Sequence, residues 1–508
     1  MSKYKIILLL ILAGLMLGYT LVSLNSYLIW VSFIPLFVAL KNQNLKNTIF
    51  YAIIFSSVVG FIGLFWVPYA FEKYTGVFSI LSLFATLFLI ISVIIFFLIW
   101  LIFFKNLEIK QKSNQIRTTI INTILISSIF FLIEFISIHI FQGIPWNKIA
   151  IRNALSTNLY FLQLSPIVGS LGLSIIVISV NYLFSEYLLS KNKMFLIIGT
   201  LIFLFNLVYG FLMLNFENDE NKTERKVALI CENVKAETKW TEEGNSIISK
   251  MLKLVKEVKP CNPELIVWSE SAFPWTYIEN DDILIAIAKI LKGNNSQNII
   301  GYLTQSEQDS NFVYNSAYLI DNNGSTLSRY DKSILLDFIE KPFFSSNYNN
   351  ILPMLSNSHY NNILIGDRKN ILTTNIGKCK IDICNESLIS NYNFNLDNSF
   401  EFIVNISNDA WIEGTQNIEH HFYFARLKAI EYRKYLIINS NRGISGIVDN
   451  KGRVQVSSQT EVPEKLIGYI VPNKGRTLYS RFPLLVPALA FLIIIILTIN
   501  KLNKKLRG

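Results

Sequence analysis

Along the first 215 residues the apolar positions fall in long runs divided by short polar loops. A bilayer core about 30 Å thick is crossed by about 20 apolar residues of helix. Seven runs have that character before residue 216, at 5–22, 27–40, 48–67, 78–104, 119–140, 160–187 and 194–215, and an eighth covers 479–499. Pro35 interrupts the short second run, and Pro166 and Gly169 break the sixth. Between the seventh and eighth runs the pattern changes to strand-length apolar stretches bounded by turn residues. KVALICENV (226–234), ELIVWSE (264–270), NIIGYLTQ (298–305), VYNSAYLID (313–321) and EFIVNISND (401–409) read as strands. ILTTNIGKCKIDIC (371–384) reads as a hairpin around Gly377, residues 417–434 as a helix, and YLIINSNRGISGIVDNKGR (435–453) as two further strands. The expected organisation is a polytopic α-helical membrane domain over 1–218 and a layered α/β or α+β domain over 219–475. A last transmembrane helix with a basic tail covers 476–508, giving about eight transmembrane helices in all.

Composition sharpens this picture. Charged residues are 16% of the chain and hydrophobic residues 51%, against about 25% charged in ordinary soluble domains. The net charge of +10 raises nucleic acid as a partner, but the basic residues sort by side of the membrane. Lys3, Lys5, Lys41, Lys46, Lys105, Lys110, Lys112, Arg117, Lys191 and Lys193 share one set of short loops with the tail residues Lys501, Lys504, Lys505 and Arg507. The other set holds Lys73, Lys148 and Arg152. The positive-inside rule then puts both termini in the cytoplasm and the polar domain outside, in the periplasm or its equivalent. No nucleic-acid partner is expected. Residues 1–22 look like a signal peptide without a small-residue cleavage site, so an uncleaved first helix is expected.

Three reactive residue types stand out together: Glu270 at the end of the strand LIVWSE, Lys332 in SRYDKSILLDFIE and Cys384 in KIDICNESL. A free thiol has a pKa of about 8.5, so at neutral pH a cysteine nucleophile needs a base or a cation beside it. Taken singly, each has a blander reading: a solvated strand-end carboxylate, a surface lysine, a buried packing cysteine. The other cysteines, Cys231, Cys261 and Cys379, lie in the same domain and leave disulfide pairing open. Their spacing fits no zinc site, and the adjacent His420 and His421 point to different sides of a helix. Neither metal nor cofactor is expected.

The order Glu–Lys–Cys, each near the end of a buried strand, resembles the triad of the nitrilase superfamily. With seven apolar runs upstream and one downstream, the chain resembles the apolipoprotein N-acyltransferase family. Trp240 in ETKW, the sequence Tyr314-Asn315-Ser316, NISNDAW (405–411), NRGISGIVD, IPWN (144–147) and QLSPIVGSLGLS (163–174) carry the resemblance further. The chain departs from it in three places. Asn385 follows the cysteine where the family has Tyr. Leu336-Asp337-Phe338-Ile339-Glu340 replaces a Val-Pro-Phe-Gly-Glu-like stretch and keeps the glutamate. Cys231-Glu232-Asn233 replaces Gln-Gly-Asn.

The resemblance implies an extracytoplasmic α-β-β-α sandwich in a bacterial inner-membrane protein, expected to be a monomer. It implies acyl transfer from a phospholipid, such as phosphatidylethanolamine, through a Cys384 thioester to the α-amine of a diacylglyceryl-cysteine apolipoprotein. Glu270 would be the general base and Lys332 the stabiliser of the thiolate and oxyanion, together with the backbone N–H of Asn385. Glu340 and Glu386 would be second carboxylates that hold Lys332 or the incoming amine. Asn315, Asn408, Asp409 and Trp411 would shape the site. A lid is expected in the aromatic stretch 336–358, around Phe338, Phe343 and Phe344. Trp240 reads either as a gate or as a packing residue, and Trp146 as an interfacial anchor or a lipid contact. Arg442 reads as a phosphate ligand or one half of an ion pair, and Glu134 as a functional or a structural carboxylate. Two other functions compete. A membrane-tethered amidohydrolase would use water as the acceptor. A transporter or receptor would carry paired broken helices and polar residues deep in several spans, where the fifth run holds only Glu134 and His139 as ionisable groups.

Overall fold

A helix that is apolar on every side must be buried in protein or lipid, and the N-terminal runs fold as such helices. The computed structural model describes residues 1–75, 80–109, 114–140, 142–143, 150–216, 223–238, 240–279, 281–337, 340–341, 362–389, 399–458 and 462–506. Contacts divide the chain into two units: 1–140 with 146–218 and 477–508, and 219–476 with 141–145.

In the first unit the helices are α1 (Lys3–Ser23), α2 (Ile34–Leu40), α3 (Leu45–Leu64), α4 (Val67–Thr75), α5 (Ile80–Leu107), α6 (Gln115–Ile140), α7 (Ile151–Leu155), α8 (Leu159–Leu162), α9 (Ser165–Ser190) and α10 (Lys193–Asn215), followed near the C-terminus by Leu478–Arg481 and Leu485–Leu506. Polar loop residues start the long helices. The side chains of Ser2, Asn44 and Asn192 accept from the first-turn N–H groups of Lys5, Asn47 and Met194, which would otherwise lack a partner. Among the described residues six helices are long and apolar enough to cross a membrane. The second and eighth runs form shorter apolar helices, Leu28–Leu40 and Leu485–Lys501.

Pro35 opens α2 rather than interrupting it, because proline is tolerated in a first turn. The chain breaks just before it, and the buried Asn181 of α9 repairs the break. Its Oδ1 accepts from Phe33 N at 3.0 Å, and its Nδ2 donates to Ile29 O at 3.1 Å. Non-helical backbone at membrane depth persists only with such internal partners. In α9, Pro166 is likewise in the first turn, and the break falls at Gly169, whose φ is +72°. The Tyr479 ring occupies the place of a Cβ there, at 2.6 Å. Gly169→Ala is therefore expected to destabilise the protein by about 1–3 kcal/mol, visible as a lower midpoint of thermal unfolding in detergent. An unchanged midpoint would mean that this backbone is not strained by a side chain.

The second unit is built on two six-stranded sheets. One has the strand order β12-β1-β2-β3-β4-β5 and the other β11-β10-β9-β8-β7-β6. The strands are β1 (Arg225–Cys231), β2 (Leu265–Val267), β3 (Gln297–Gln305), β4 (Val313–Ile320), β5 (Thr326–Asp331), β6 (Ile371–Thr374), β7 (Gly377–Ile383), β8 (Phe402–Asn408), β9 (Leu436–Asn441), β10 (Gly446–Val448), β11 (Val454–Ser457) and β12 (Glu464–Ile470). In each sheet three consecutive strands are parallel, β1-β2-β3 and β7-β8-β9. Val227, Leu229, Val267 and Ile299 of the first sheet meet Ile381, Ile383, Val404 and Ile406 of the second in one core. The outer face of the first sheet, with Ala228, Ile230 and Ile266, packs on α11 (Trp240–Val258) and α12 (Asp282–Leu291) through Met251, Val255 and Ile287. α13 (Asn417–Tyr432) lies against β9 and the turn after β7. The layers are thus helix, sheet, sheet, helix, and burial on both faces is why these strands read as continuous apolar runs.

Candidate active site

The parallel strands end on one edge of their sheets, where side chains from different strands converge. Glu270 follows β2, Lys332 follows β5 and Cys384 follows β7. All three are buried. Lys332 Nζ lies 2.8 Å from both carboxylate oxygens of Glu340 and 3.5 Å from Glu270 Oε1. Asn315, on β4, ties these groups together. Its Nδ2 donates to Glu270 Oε1 at 2.7 Å and to Glu340 Oε1 at 3.3 Å, while its carbonyl accepts from Lys332 N at 2.8 Å. Glu340 is held in turn by the Leu336 N–H at 2.8 Å.

Cys384 adopts φ +52°, a left-handed conformation unusual for a side chain with a Cβ, and opens a one-turn helix over Cys384–Leu388. Glu386 anchors that turn. Its Oε1 accepts from the hydroxyls of Tyr330 and Ser333 and from the N–H groups of Ser333 and Ile334, at 2.7–3.1 Å. Its Oε2 accepts from Ile383 N at 2.8 Å. Glu386 thereby joins the segment just after Lys332 to the segment bearing Cys384. Asn385 Nδ2 donates to Ile334 O at 3.1 Å across the same junction.

Electrostatics follow from this burial. Removal from water, then the charge of Glu270, push the Cys384 thiol well above its ordinary value, and Lys332 opposes them. Burial also raises the Glu270 carboxyl, with Lys332 opposing and Glu340 adding to the rise. Burial works against the Lys332 ammonium, but Glu340, Glu270 and Cys384 outweigh it, so the ammonium is held above its usual range. The lysine is thus a fixed cation, and the thiol gives up a proton only to a neighbouring base. Glu270, a carboxyl made more basic by its surroundings, is matched to that transfer.

Other candidate residues sit further out. Asn408, at the end of β8, accepts from Ala410 N at 3.3 Å and from Asn441 Nδ2 at 3.0 Å. Trp411 is half-buried in the turn Ala410–Ile412. Trp240 packs on the core beneath α11, edge-to-face with Trp275 at 6.1 Å between centroids. Arg442 forms an ion pair with Glu413. Glu134 is buried and accepts from Ile151 N at 3.1 Å. All four cysteines are free thiols. Trp146 and, within the expected lid, residues 338–339 and 342–358, with Phe338, Phe343 and Phe344, lie outside the described residues.

Two features escaped the sequence analysis. His421 pairs with Asp409 beside the Cys384 turn, Nδ1 to Oδ1 at 2.7 Å. Lys428 donates to Asp382 Oδ2 at 2.8 Å and to the Glu386 carbonyl at 2.7 Å, and Lys380 pairs with the other oxygen of Asp382. The alternation of charge in KCKID, on a strand otherwise buried, was the available signal for the second. The first is carried by no spacing in the chain.

Comparison with known proteins gives sequence matches over both parts of the chain. The carbon-nitrogen hydrolase family profile matches residues 226–476, and the profile of the apolipoprotein N-acyltransferase N-terminal domain matches residues 13–183. The chain is 30% identical over 366 residues to the apolipoprotein N-acyltransferase of Rickettsia prowazekii, spanning 69% of this chain and 71% of that one. It is 27% identical over 445 residues to that of Haemophilus ducreyi, spanning 83% and 82%. A solved member of branch 10 of the nitrilase superfamily from Saccharomyces cerevisiae is similar over 53% of this chain and 97% of its own, at 13% identity and a TM-score of 0.37.

Proposed function

The chain belongs to the apolipoprotein N-acyltransferase family, within the nitrilase superfamily, and on that premise we propose the route by which it N-acylates lipoproteins. It is a membrane-bound acyltransferase of lipoprotein biosynthesis that uses a lipid acyl donor. The donor is a phospholipid such as phosphatidylethanolamine, and the acceptor is the α-amine of an N-terminal diacylglyceryl-cysteine. The observation that carries this reading is the buried Glu270–Lys332–Glu340 cluster, to which Cys384 is electrostatically coupled.

In the first half-reaction Glu270 takes the Cys384 thiol proton, and the thiolate forms a C–S bond to an ester carbonyl of the phospholipid. The negative charge on the carbonyl oxygen is met by Lys332 and by the backbone N–H of Asn385. The ester C–O bond breaks, and the leaving alkoxide takes the proton back from Glu270 as lysophospholipid. In the second half the unprotonated amine forms a C–N bond to the thioester carbon and passes its proton to Glu270. The C–S bond breaks, and the thiolate recovers that proton. Glu340 holds Lys332 at its post throughout. The distribution of basic loop residues supports a topology with both termini in the cytoplasm and the catalytic domain on the outer face. There, two lipid-anchored substrates can reach one thiol. The protein works as a monomer in this scheme.

The test is a mass-spectrometric assay of detergent-solubilised protein with phosphatidylethanolamine and a diacylglyceryl-cysteine peptide. The peptide is expected to gain one fatty-acyl mass while an equal amount of lysophospholipid forms. Free fatty acid with an unmodified peptide would instead identify a hydrolase, and the transferase route would fall.

A further inference from the structure

The nucleophile's own peptide is held by groups that the route above does not use. Cys384 O accepts from Ser387 Oγ at 2.8 Å and from Asn405 Nδ2 at 3.3 Å, and His421 Nε2 lies 3.4 Å from it. His421 stands on α13 and is buried, with its Nδ1 against Asp409 Oδ1. Asp409 is fixed in turn by the Ser440 hydroxyl on Oδ2 at 2.9 Å and through its own N–H to Asn441 O at 2.8 Å. A planar trans peptide carries its C=O and N–H in opposite directions. Whatever orients the Cys384 carbonyl therefore also aims the Asn385 N–H. A donor on that carbonyl polarises the peptide and strengthens the N–H as a donor in its turn.

We propose that Asp409 and His421 are a positioning pair that holds and polarises the Cys384–Asn385 peptide, aiming the Asn385 N–H at the oxyanion of acyl transfer. The inference rests on the thioester route proposed above. Asp409 receives the Nδ1 proton, so His421 donates to Cys384 O from Nε2 only as the imidazolium. As neutral imidazole its Nε2 is an acceptor and competes, at 3.4 Å, for the Ser387 hydroxyl that also serves Cys384 O. Deprotonation thus weakens two donors on the same carbonyl.

The charged and titratable groups facing His421 are Asp409 from the end of β8, Glu270 from the first sheet and Cys384 from the turn. On its own helix His420 turns away onto Phe424, and Lys428 is engaged by Asp382. Burial opposes the imidazolium, but Asp409, the Cys384 carbonyl and Glu270 outweigh it, so its pKa lies above 6.5. A raised value means that the donor is present at low pH and lost as pH rises through it. Acylation should accordingly carry an alkaline limb belonging to His421.

The experiment measures the rate of fatty-acyl adduct formation on the full-length protein with phosphatidylethanolamine, from pH 6 to 9, alongside Cys384→Ala. His421→Leu is expected to slow acylation by about 10²-fold, the scale of a misaligned reacting group, with KM for phospholipid unchanged. His421→Gln presents an amide N–H near the Nε2 position and is expected to recover part of the rate and to flatten the alkaline limb. Asp409→Asn keeps the acceptor but not the charge and should move that limb to lower pH, which keeps the test open if His421→Leu does not fold. Rates within about twofold of the parent for His421→Leu and an unmoved limb for Asp409→Asn would overturn the pair. So would equal losses in all three variants with a raised KM, which would mark a purely structural role. An adduct surviving in Cys384→Ala would overturn the thioester route itself, and this inference with it.

Discussion

Cys384→Ala is expected to abolish the fatty-acyl mass increment that the purified protein acquires from phosphatidylethanolamine in the absence of an acceptor. The loss should be at least about 10⁴-fold, as when a nucleophile is removed from a unit whose members act together. The reason lies in the site's charge balance. The thiol is buried beside Glu270 and held above its ordinary value, so spontaneous ionisation supplies almost no thiolate. Reaction depends on proton transfer to Glu270 while Lys332 compensates the charge. The other cysteines lack that setting. Burial pushes the Cys379 thiol up to about 12 and the Cys231 thiol higher still, with neither the Glu270 nor the Lys332 charge among the causes. Cys261 hydrogen-bonds the Glu257 carbonyl at the end of α11. The parent increment should be removed by hydroxylamine, as a thioester requires. A hydroxylamine-labile adduct of undiminished yield on Cys384→Ala would displace the nucleophile to another residue.

Much of this site could be read along the chain, because Glu270 and Cys384 each follow a strand whose apolar run is unmistakable. LIV, KIDI and FIVNIS are buried on both faces, so their ends were easily placed. Lys332 was harder: TLSRYD is an edge strand with half-exposed, polar positions, and period-two apolar patterning is lost on such strands. VQVS went unread for the same reason, whereas EKLIGYI keeps the alternation, with Leu466, Gly468 and Ile470 inward. In the membrane domain the apolar runs translated directly into helices. The second, sixth and eighth runs are divided, and in the second the buried Asn181, nearly 150 positions further along, supplies the hydrogen bonds that let the chain break. Partners this remote leave no local trace. His421 shows the same limit, since its role follows from Asp409 and Cys384, both brought to it only by folding. Glu386 was expected to hold Lys332 or the incoming amine. The structure occupies both its oxygens with donors from residues 330–334 and 383. That geometry makes it the clasp between the lysine segment and the cysteine turn.

Lys332→Met is expected to abolish adduct formation and to destabilise the protein by about 3–5 kcal/mol, the scale for breaking a buried ion pair from one side. Methionine retains most of the apolar stem, so the cost is electrostatic. Glu270 and Glu340 would face each other and Asn315 with no cation between them. The deficit should depend on pH in a definite direction. The Glu270 carboxyl already lies above 4.5 in the folded protein, and Lys332 is the strongest group pulling it down. Without the lysine it rises further. A carboxyl with a raised folded value contributes stability below its unfolded value and loses that contribution as pH climbs through the folded one. The gap between Lys332→Met and the parent should therefore be widest at about pH 8 and narrow as pH falls toward about 5. Thermal unfolding of the two proteins in detergent across that range measures it. Adding Glu340→Gln removes one of the stranded charges and should recover stability without recovering acylation. A double variant that regains both would make Lys332 a purely structural partner of Glu340. A single variant as stable as the parent at every pH would mean that the two carboxylates are not jointly ionised in the folded protein, and the fixed cation would lose its premise.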